Sequence, residues 1–348
     1  MSEDIINRRA IQWFPGHMAK TLRLMETEIR NVDCVLQILD ARIPLSSLNP
    51  EIERITSGKP HLYIMNKADL ADPDITAQWL AYFKSAGAGC LPMNSKQSGK
   101  AGAVKGPIEK ELSALMERRR KKGMIGARIR VMVVGIPNVG KSTFINSFAG
   151  AARAKAANKP GVTRGKQWIT VDDYDLMDMP GVLWKKFDSL ETATNLAFIG
   201  SIKDDILDVE ELAMNLLDEV RRAVESNKAQ KMLFILHCYG SHFSYHQRYP
   251  REFARFKPDD DVAISREHAH TLRNAYDNSI CYTDHFLAET IAFLRGLRQT
   301  SSALLYCADH GEDILDDDRE RFLHASPTTT AYQLYVASLA WFSDAYRR

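Results

Sequence analysis

Cysteine is sparse and scattered. Cys34, Cys90, Cys238, Cys281 and Cys307 form no CxxC pair and are odd in number, which argues against a disulfide framework and for reduced thiols in a cytoplasmic setting. No run of about 18 apolar residues occurs, so no transmembrane helix and no membrane partner are expected. Residues 1–9 are polar and charged, without the apolar core of a secretory signal. Excess charge of either sign is also missing: the net charge is +2, so any nucleic-acid contact must come from local basic clusters. There is no internal repeat and no low-complexity tract. What remains is an ordinary globular balance, 45% hydrophobic and 26% charged over 348 residues. At roughly 150 residues per domain, that length suggests two domains.

Short apolar runs alternate with helical patterns along the whole chain, the mark of an α/β fold. Residues 34–39 and 61–65 read as buried strands of a parallel sheet, ending at Asp40 and Asn66. Helices are expected over 19–32, 76–86 and 107–120, the last running into Arg118-Arg119-Arg120-Lys121-Lys122. Residues 130–134 form a strand that enters a glycine-rich turn, and 168–171 with 174–177 form a strand pair. Leu212, Leu216, Val220 and Val224 repeat every four residues in an expected helix over 204–225, with Asp208 able to cap its start. Beyond residue 227 the character changes. A strand over 231–236 leads into a loop rich in histidine and glycine, a long helix is expected over 266–298, and another strand over 303–307. Eight of the ten histidines fall after residue 230.

The glycine-rich turn, Gly135-Ile136-Pro137-Asn138-Val139-Gly140-Lys141-Ser142-Thr143, has the GxxxxGK[ST] spacing of a phosphate loop, in the confirming context of a preceding strand and a following helix. Its glycines let backbone N–H groups curl around a phosphate at a positive helix N-terminus. Lys141 is expected to bridge β- and γ-phosphates, and the Ser142 hydroxyl to hold Mg²⁺. Asp178-Met179-Pro180-Gly181 follows the second strand of the pair. Its carboxylate suits the Mg²⁺ shell and the Gly181 N–H suits a γ-phosphate, while Thr163, between the two motifs, is placed to complete that shell. Asn66-Lys67-Ala68-Asp69 has the NKxD pattern of a guanine reader, since one carboxylate accepts both the N1–H and the N2 amino group of guanine and adenine offers no such pair. Asn94-Ser95-Lys96 occupies the place of the last base-contacting loop. In ordinary GTPases the phosphate loop comes first and NKxD later; here the base reader leads. A doubly wound sheet tolerates such re-cutting where its original ends lie close together. The new order runs the second switch, after Asp178, directly into the C-terminal elements, so nucleotide hydrolysis is wired to move them.

Trp13-Phe14-Pro15-Gly16-His17-Met18-Ala19-Lys20, Asp40-Ala41-Arg42-Ile43-Pro44-Leu45-Ser46-Ser47 and the permuted motif order resemble the YlqF/RbgA family of ribosome-assembly GTPases. The resemblance runs from about residue 10 to about 225 and includes Phe198-Ile199-Gly200-Ser201-Ile202-Lys203. It implies GTP hydrolysis coupled to late maturation of the large (50S) ribosomal subunit, with 23S rRNA as partner and a monomeric, cytoplasmic protein. It also implies roles for single residues. Val182 stands where Ras-like enzymes orient water with a glutamine; His17 is the family's substitute for that role. Asn138 matches GTPases in which a K⁺ ion replaces an arginine finger. Arg118–Lys122, with Arg153, Lys155, Lys159, Arg164 and Lys166, offer phosphate contacts to rRNA, though each also reads as a solvated surface charge.

From about residue 231 the chain resembles instead the C-terminal part of a phosphoethanolamine transferase of the sulfatase/alkaline-phosphatase superfamily. The matching residues are His237-Cys238-Tyr239-Gly240-Ser241-His242, Arg248-Tyr249-Pro250, Tyr276-Asp277-Asn278, Tyr282-Thr283-Asp284, Ala308-Asp309-His310-Gly311-Glu312 and Phe322-Leu323-His324-Ala325-Ser326-Pro327. This resemblance makes Asp309 and His310 the weak candidates for Zn²⁺, with His237, His242 and His324 lining the site. Catalysis there also needs a nucleophilic threonine and a further acidic ligand, which the superfamily carries in its other half. The expected fold is therefore a circularly permuted P-loop GTPase domain with a parallel-type sheet (1–188), a short helical extension (189–227) and a partial sulfatase-like α/β segment (228–348). Two other functions stay open: a metal-dependent phosphoethanolamine transferase, and a fusion that retains nucleotide binding alone.

Overall fold

The computed structural model describes residues 14–97, 100–124, 126–150, 166–187, 189–203, 209–226, 231–297, 300–324 and 329–346. The chain divides into two compact units, Met1–Ala229 and Gln230–Arg348. Among the described residues, no helix is long and apolar enough to cross a membrane.

The first unit is built on one six-stranded sheet. Its strands are β1 (Cys34–Asp40), β2 (His61–Asn66), β3 (Gly89–Met93), β4 (Ile129–Val134), β5 (Gln167–Val171) and β6 (Tyr174–Asp178), in the order β3-β2-β1-β4-β6-β5. Five run parallel, and β5 is added antiparallel to β6 at the edge. All seven residues of β1 are buried, as expected of a central parallel strand covered by helices on both faces. Strand order reverses between β1 and β4, and a doubly wound sheet binds ligands at that switch point, outside the carboxyl ends of its strands. Both the phosphate loop, after β4, and the base reader, after β2, leave the sheet at that end.

Helix starts follow local chemistry. The Asn49 side chain accepts from Glu51 N and Ile52 N ahead of α2 (Pro50–Thr56), and Asp72 does the same ahead of α3 (Pro73–Ser85), each with proline in the first turn. The first helix, α1, spans Gly16–Glu28 and starts earlier than the apolar pattern suggests. The helix expected over 107–120 is two helices, α4 (Lys105–Glu111) and α5 (Ser113–Lys121), broken at the buried Leu112. The phosphate loop opens α6 (Lys141–Ala149), and Ser189 caps α7 (Leu190–Phe198). Leu196 of α7 and Ile202 belong to the main core with Val133, Phe144 and Leu176, so the extension begins as part of the nucleotide-binding unit. The helix expected over 204–225 is α8 (Val209–Ser226); Asp208 lies outside the described residues.

The second unit centres on α9 (Ala269–Gly296), preceded by a 3-10 turn at Arg266–His268, and its small core joins Tyr245, Leu272, Ala275, Ile314 and Leu315. β7 (Ala303–Cys307) pairs antiparallel with the last strand, Ser338–Phe342, and β8 (Asp313–Ile314) with β9 (Phe322–Leu323). The strand expected over 231–236 does not form. Those residues join no ladder, and Leu233 and Ile235 are 85% and 83% exposed. An apolar run becomes a strand only when another strand completes its hydrogen bonds, and here none does among the described residues.

Candidate nucleotide site

Two glycines let the phosphate loop turn tightly. Gly135 has φ 148°, and a Cβ there would lie 2.5 Å from the Ile38 carbonyl oxygen. Gly140 has φ 93°, and its Cβ would lie 2.5 Å from Asn66 Nδ2. Between them Asn138 adopts the left-handed conformation, φ 60°, which asparagine tolerates better than most residues. The loop therefore presses against β1 and the base reader with no room for side chains. Lys141 folds back over it, donating to the Ile136 (2.7 Å) and Gly135 (3.1 Å) carbonyls. Burial lowers the Lys141 pKa to about 8, against the opposing pull of the Asp178 carboxylate. Val139 is fully buried, and Thr143 continues the first turn of α6.

Asn66 ties three loops together. Its Nδ2 donates to the Val139 carbonyl (2.7 Å), and its Oδ1 accepts from the Ser95 N–H (3.1 Å). Lys67, left-handed at φ 59°, donates from Nζ to the Asn138 carbonyl (2.7 Å) and to Asp40 Oδ2 (3.0 Å). Asp69 is exposed at the mouth of the site. Asn94 accepts from the Lys96 N–H (3.0 Å) and shapes the turn that carries Ser95; Ser95 is buried and Lys96 exposed.

The chemistry of the donor set fits a hard divalent cation. Asp178 is almost fully buried. One carboxylate oxygen accepts from the Ser142 hydroxyl (3.3 Å), and the other is a buried acceptor without a hydrogen-bond partner. Burial raises its pKa, with Lys141 and Ser142 pulling the other way. An orphaned carboxylate oxygen beside a hydroxyl, next to a phosphate loop, is an oxygen pair of the kind Mg²⁺ takes. Thr163 lies outside the described residues, as do Arg153, Lys155, Lys159 and Arg164. The Asn138 amide, the implied K⁺ ligand, donates to the Gly200 carbonyl (2.5 Å).

The second switch is packed against everything around it. A Cβ at Gly181 would lie 2.8 Å from Pro137 and 2.9 Å from Lys141 Nζ, so only glycine brings this backbone so close to the phosphate loop. Val182 is fully buried, and its carbonyl accepts from the Asn49 amide (2.9 Å). The Leu183 N–H meets Met18 Sδ (3.4 Å). Met18 follows His17, which is exposed near the start of α1. Downstream, the buried Ser201 hydroxyl donates to the Pro137 carbonyl (2.7 Å). A single small polar residue docked on a phosphate loop 64 positions away leaves no periodic signal in the sequence. Among the rRNA candidates, Arg119 pairs with Asp33 (2.7 Å) and Lys166 with Glu28 (2.7 Å), so both hold the fold together. Among the described residues, Arg120 and Lys121 pair with the half-buried Glu117 on the same helix.

In the second unit three side chains able to ligate a metal converge. His310, Glu312 and His324 bring their ligand atoms within 4.8 Å of one another. Asp309 is exposed; one carboxylate oxygen accepts from the His310 N–H (3.1 Å) and the other lies 3.9 Å from His310 Nε2. Glu312 also accepts a hydrogen bond from the Tyr245 hydroxyl and lies 3.2 Å from His324 Nδ1.

The family described as 50S ribosome-binding GTPase matches residues 130–237. The match begins at β4 and leaves Asn66–Asp69 upstream, as the permuted order requires. Ribosome biogenesis GTPase A of Bacillus cereus is 42% identical over 208 residues, 60% of this chain and 70% of the relative. The structure of GNP-bound YlqF from T. maritima is 23% identical, covering 75% of this chain and 94% of that one, with TM-score 0.45. The soluble domain of lipooligosaccharide phosphoethanolamine transferase A from Neisseria meningitidis is 32% identical over 38% of this chain and 40% of that one, with TM-score 0.35. The phosphate loop, a base reader upstream of it and the switch that follows β6 make the first unit a circularly permuted P-loop GTPase. The chain belongs to the ribosome biogenesis GTPase A family.

Proposed function

We propose that the chain is a GTP-driven maturation factor of the large (50S) ribosomal subunit, contacting 23S rRNA as a cytoplasmic monomer. The observation that carries the nucleotide chemistry is the Asn66 junction: one side chain holds base reader, phosphate loop and Ser95 loop together, whatever their order in the chain. In this reading Asp69 selects guanine, Lys67 and the Asn94–Lys96 loop flank the base, and the Gly135–Thr143 backbone cradles the phosphates. Lys141 leaves the loop carbonyls for the β- and γ-phosphates. Ser142, Asp178 and Thr163 would hold Mg²⁺, which when bound would neutralise charge on the phosphates. Gly181 senses the γ-phosphate, and His17 orients water where the buried Val182 cannot. K⁺ would be held through the Asn138 amide oxygen, while the same amide's Nδ2 donates to the Gly200 carbonyl.

Two measurements test this. Lys141→Ala is expected to abolish GTP binding; undiminished affinity would sink the nucleotide reading. GTP turnover is expected to be slow alone and faster with large ribosomal subunits; equal rates would remove the ribosomal reading while leaving the GTPase.

A further inference from the structure

We propose that Asp40 is a positioning residue for the nucleotide: it sets Lys67 against the phosphate loop and so fixes the base-reading and phosphate-binding loops to one another. Asp40 ends β1 at the switch point and lies in register with Asn66 at the end of β2. Its side chain is fully buried and receives donors on both oxygens. One accepts from Arg42 Nε (2.8 Å) and the Arg42 N–H (3.2 Å); the other accepts from Arg42 Nη2 (2.8 Å) and Lys67 Nζ (3.0 Å). The same Lys67 ammonium reaches the Asn138 carbonyl (2.7 Å). A carboxylate, an ammonium and a carbonyl thus form one line from the central strand, through the base reader, into the phosphate loop.

The chemistry favours a positioning role over simple support. A buried ion pair gives little net stability, since desolvation offsets most of the attraction. What it fixes is geometry, and the geometry fixed here is that of an ammonium whose backbone sits in the left-handed region. Arg42 completes the arrangement: its bidentate fork satisfies the carboxylate while leaving one lone pair for Lys67. Burial alone would raise the Asp40 pKa, but the Arg42 and Lys67 donors outweigh it and hold the carboxyl below its usual range. The group therefore stays charged throughout the neutral range.

The inference rests on reading Asn66–Asp69 as the base reader. The test is titration of the full chain with a fluorescent GDP analogue, alongside steady-state GTP hydrolysis. Asp40→Asn is expected to weaken GDP binding about tenfold, the size of one lost charged hydrogen bond, and to raise KM while leaving kcat unchanged. Lys67→Ala is expected to lose a similar factor, and the double variant no more than the worse single one. GDP affinity unchanged in Asp40→Asn, or losses that multiply in the double variant, would overturn the proposal. If Asp40→Asn does not fold, Arg42→Gln replaces it. It is expected to weaken GDP binding about threefold in the native background and to have no effect in the Lys67→Ala background; an equal loss in both backgrounds overturns the proposal. Asp69→Ala separates the two layers: if it leaves GDP binding intact the base-reader assignment fails, whereas an effect of Asp69→Ala with none from Asp40→Asn refutes only the positioning role.

Discussion

Replacing Asn66 with alanine removes one side chain and unpairs two buried backbone groups. The Val139 carbonyl loses its 2.7 Å donor and the Ser95 N–H its 3.1 Å acceptor. Each buried group left without a partner costs about 1–3 kcal/mol, so the pair is worth roughly 2–6 kcal/mol. Both bonds join parts of the protein itself, so the loss falls first on stability. At about 3 kcal/mol and 2–4 °C per kcal/mol for a unit of this size, melting should drop by roughly 6–12 °C. Nucleotide affinity follows, because the three loops must then be ordered by the ligand itself; transfer of the full amount weakens GDP binding on the order of 100-fold. Asn66→Asp sharpens the test. It keeps an acceptor for Ser95 but sets an oxygen against the Val139 carbonyl, with a buried charge, so it should be at least as damaging as alanine despite its shape. The assays are fluorescent-GDP titration and a thermal melt. Asn66→Ala binding GDP within about threefold of the native protein would refute the reasoning, since the junction would then contribute less than one ordinary hydrogen bond.

A carboxyl whose folded pKa is raised destabilises the fold fully above that pKa, and the effect fades as the pH falls from there to the ordinary carboxylate value. With Asp178 raised by burial, Asp178→Asn should increase the melting temperature of the nucleotide-free protein at neutral pH, lose that gain in acid, and abolish Mg²⁺-dependent turnover; a lowered melting temperature at neutral pH counts against the assignment. Asn138→Ala should erase any difference between K⁺ and Na⁺ in GTP turnover, and a surviving K⁺ preference would place that ion elsewhere. Zinc titrated into the full chain should bind weakly, and His324→Ala should remove that binding; an ion that survives dialysis against a chelator would show a stronger site than three half-engaged ligands predict. Ile235→Lys should reduce aggregation without changing GTP turnover, because the residue is 83% exposed in an unpaired apolar run; unchanged aggregation would mean that run is covered in solution.

The chemistry of the first unit was legible because nucleotide binding demands particular atoms at particular spacings. Gly140 tolerates only glycine on steric and backbone grounds, and Lys141 and Asp178 are buried charges that have a use only beside phosphate and metal. What could not be read was which distant groups close the site. Asn66 meets Val139 across 73 positions and Asn138 meets Gly200 across 62, and no local pattern encodes either. The errors share a cause. Residues 231–236 carry the composition of a strand, but a strand is defined by its neighbour. Leu112 fits the helical period, yet its burial is accommodated by breaking the helix. The cluster in the second unit is nonlocal in the same way, since the pairing of β8 with β9 brings His324 to Glu312.

The bonds around the second switch say what the permutation achieves mechanically. From Gly181 to Ser201 the chain leaves the phosphate loop, packs as Val182 and Leu183 against Asn49 and Met18, forms α7, and returns to the loop at Pro137 and Asn138. The segment is therefore anchored at both ends to the phosphate-binding apparatus. A ligand that moved Gly181 or Asn138 would act on the same stretch from opposite ends. Such an element is better suited to two discrete positions than to gradual deformation, because its middle is core: Leu196 and Ala197 cannot shift without repacking. In the uncut order this segment would lead back into the sheet toward the base reader, and the same motion would be absorbed within the domain.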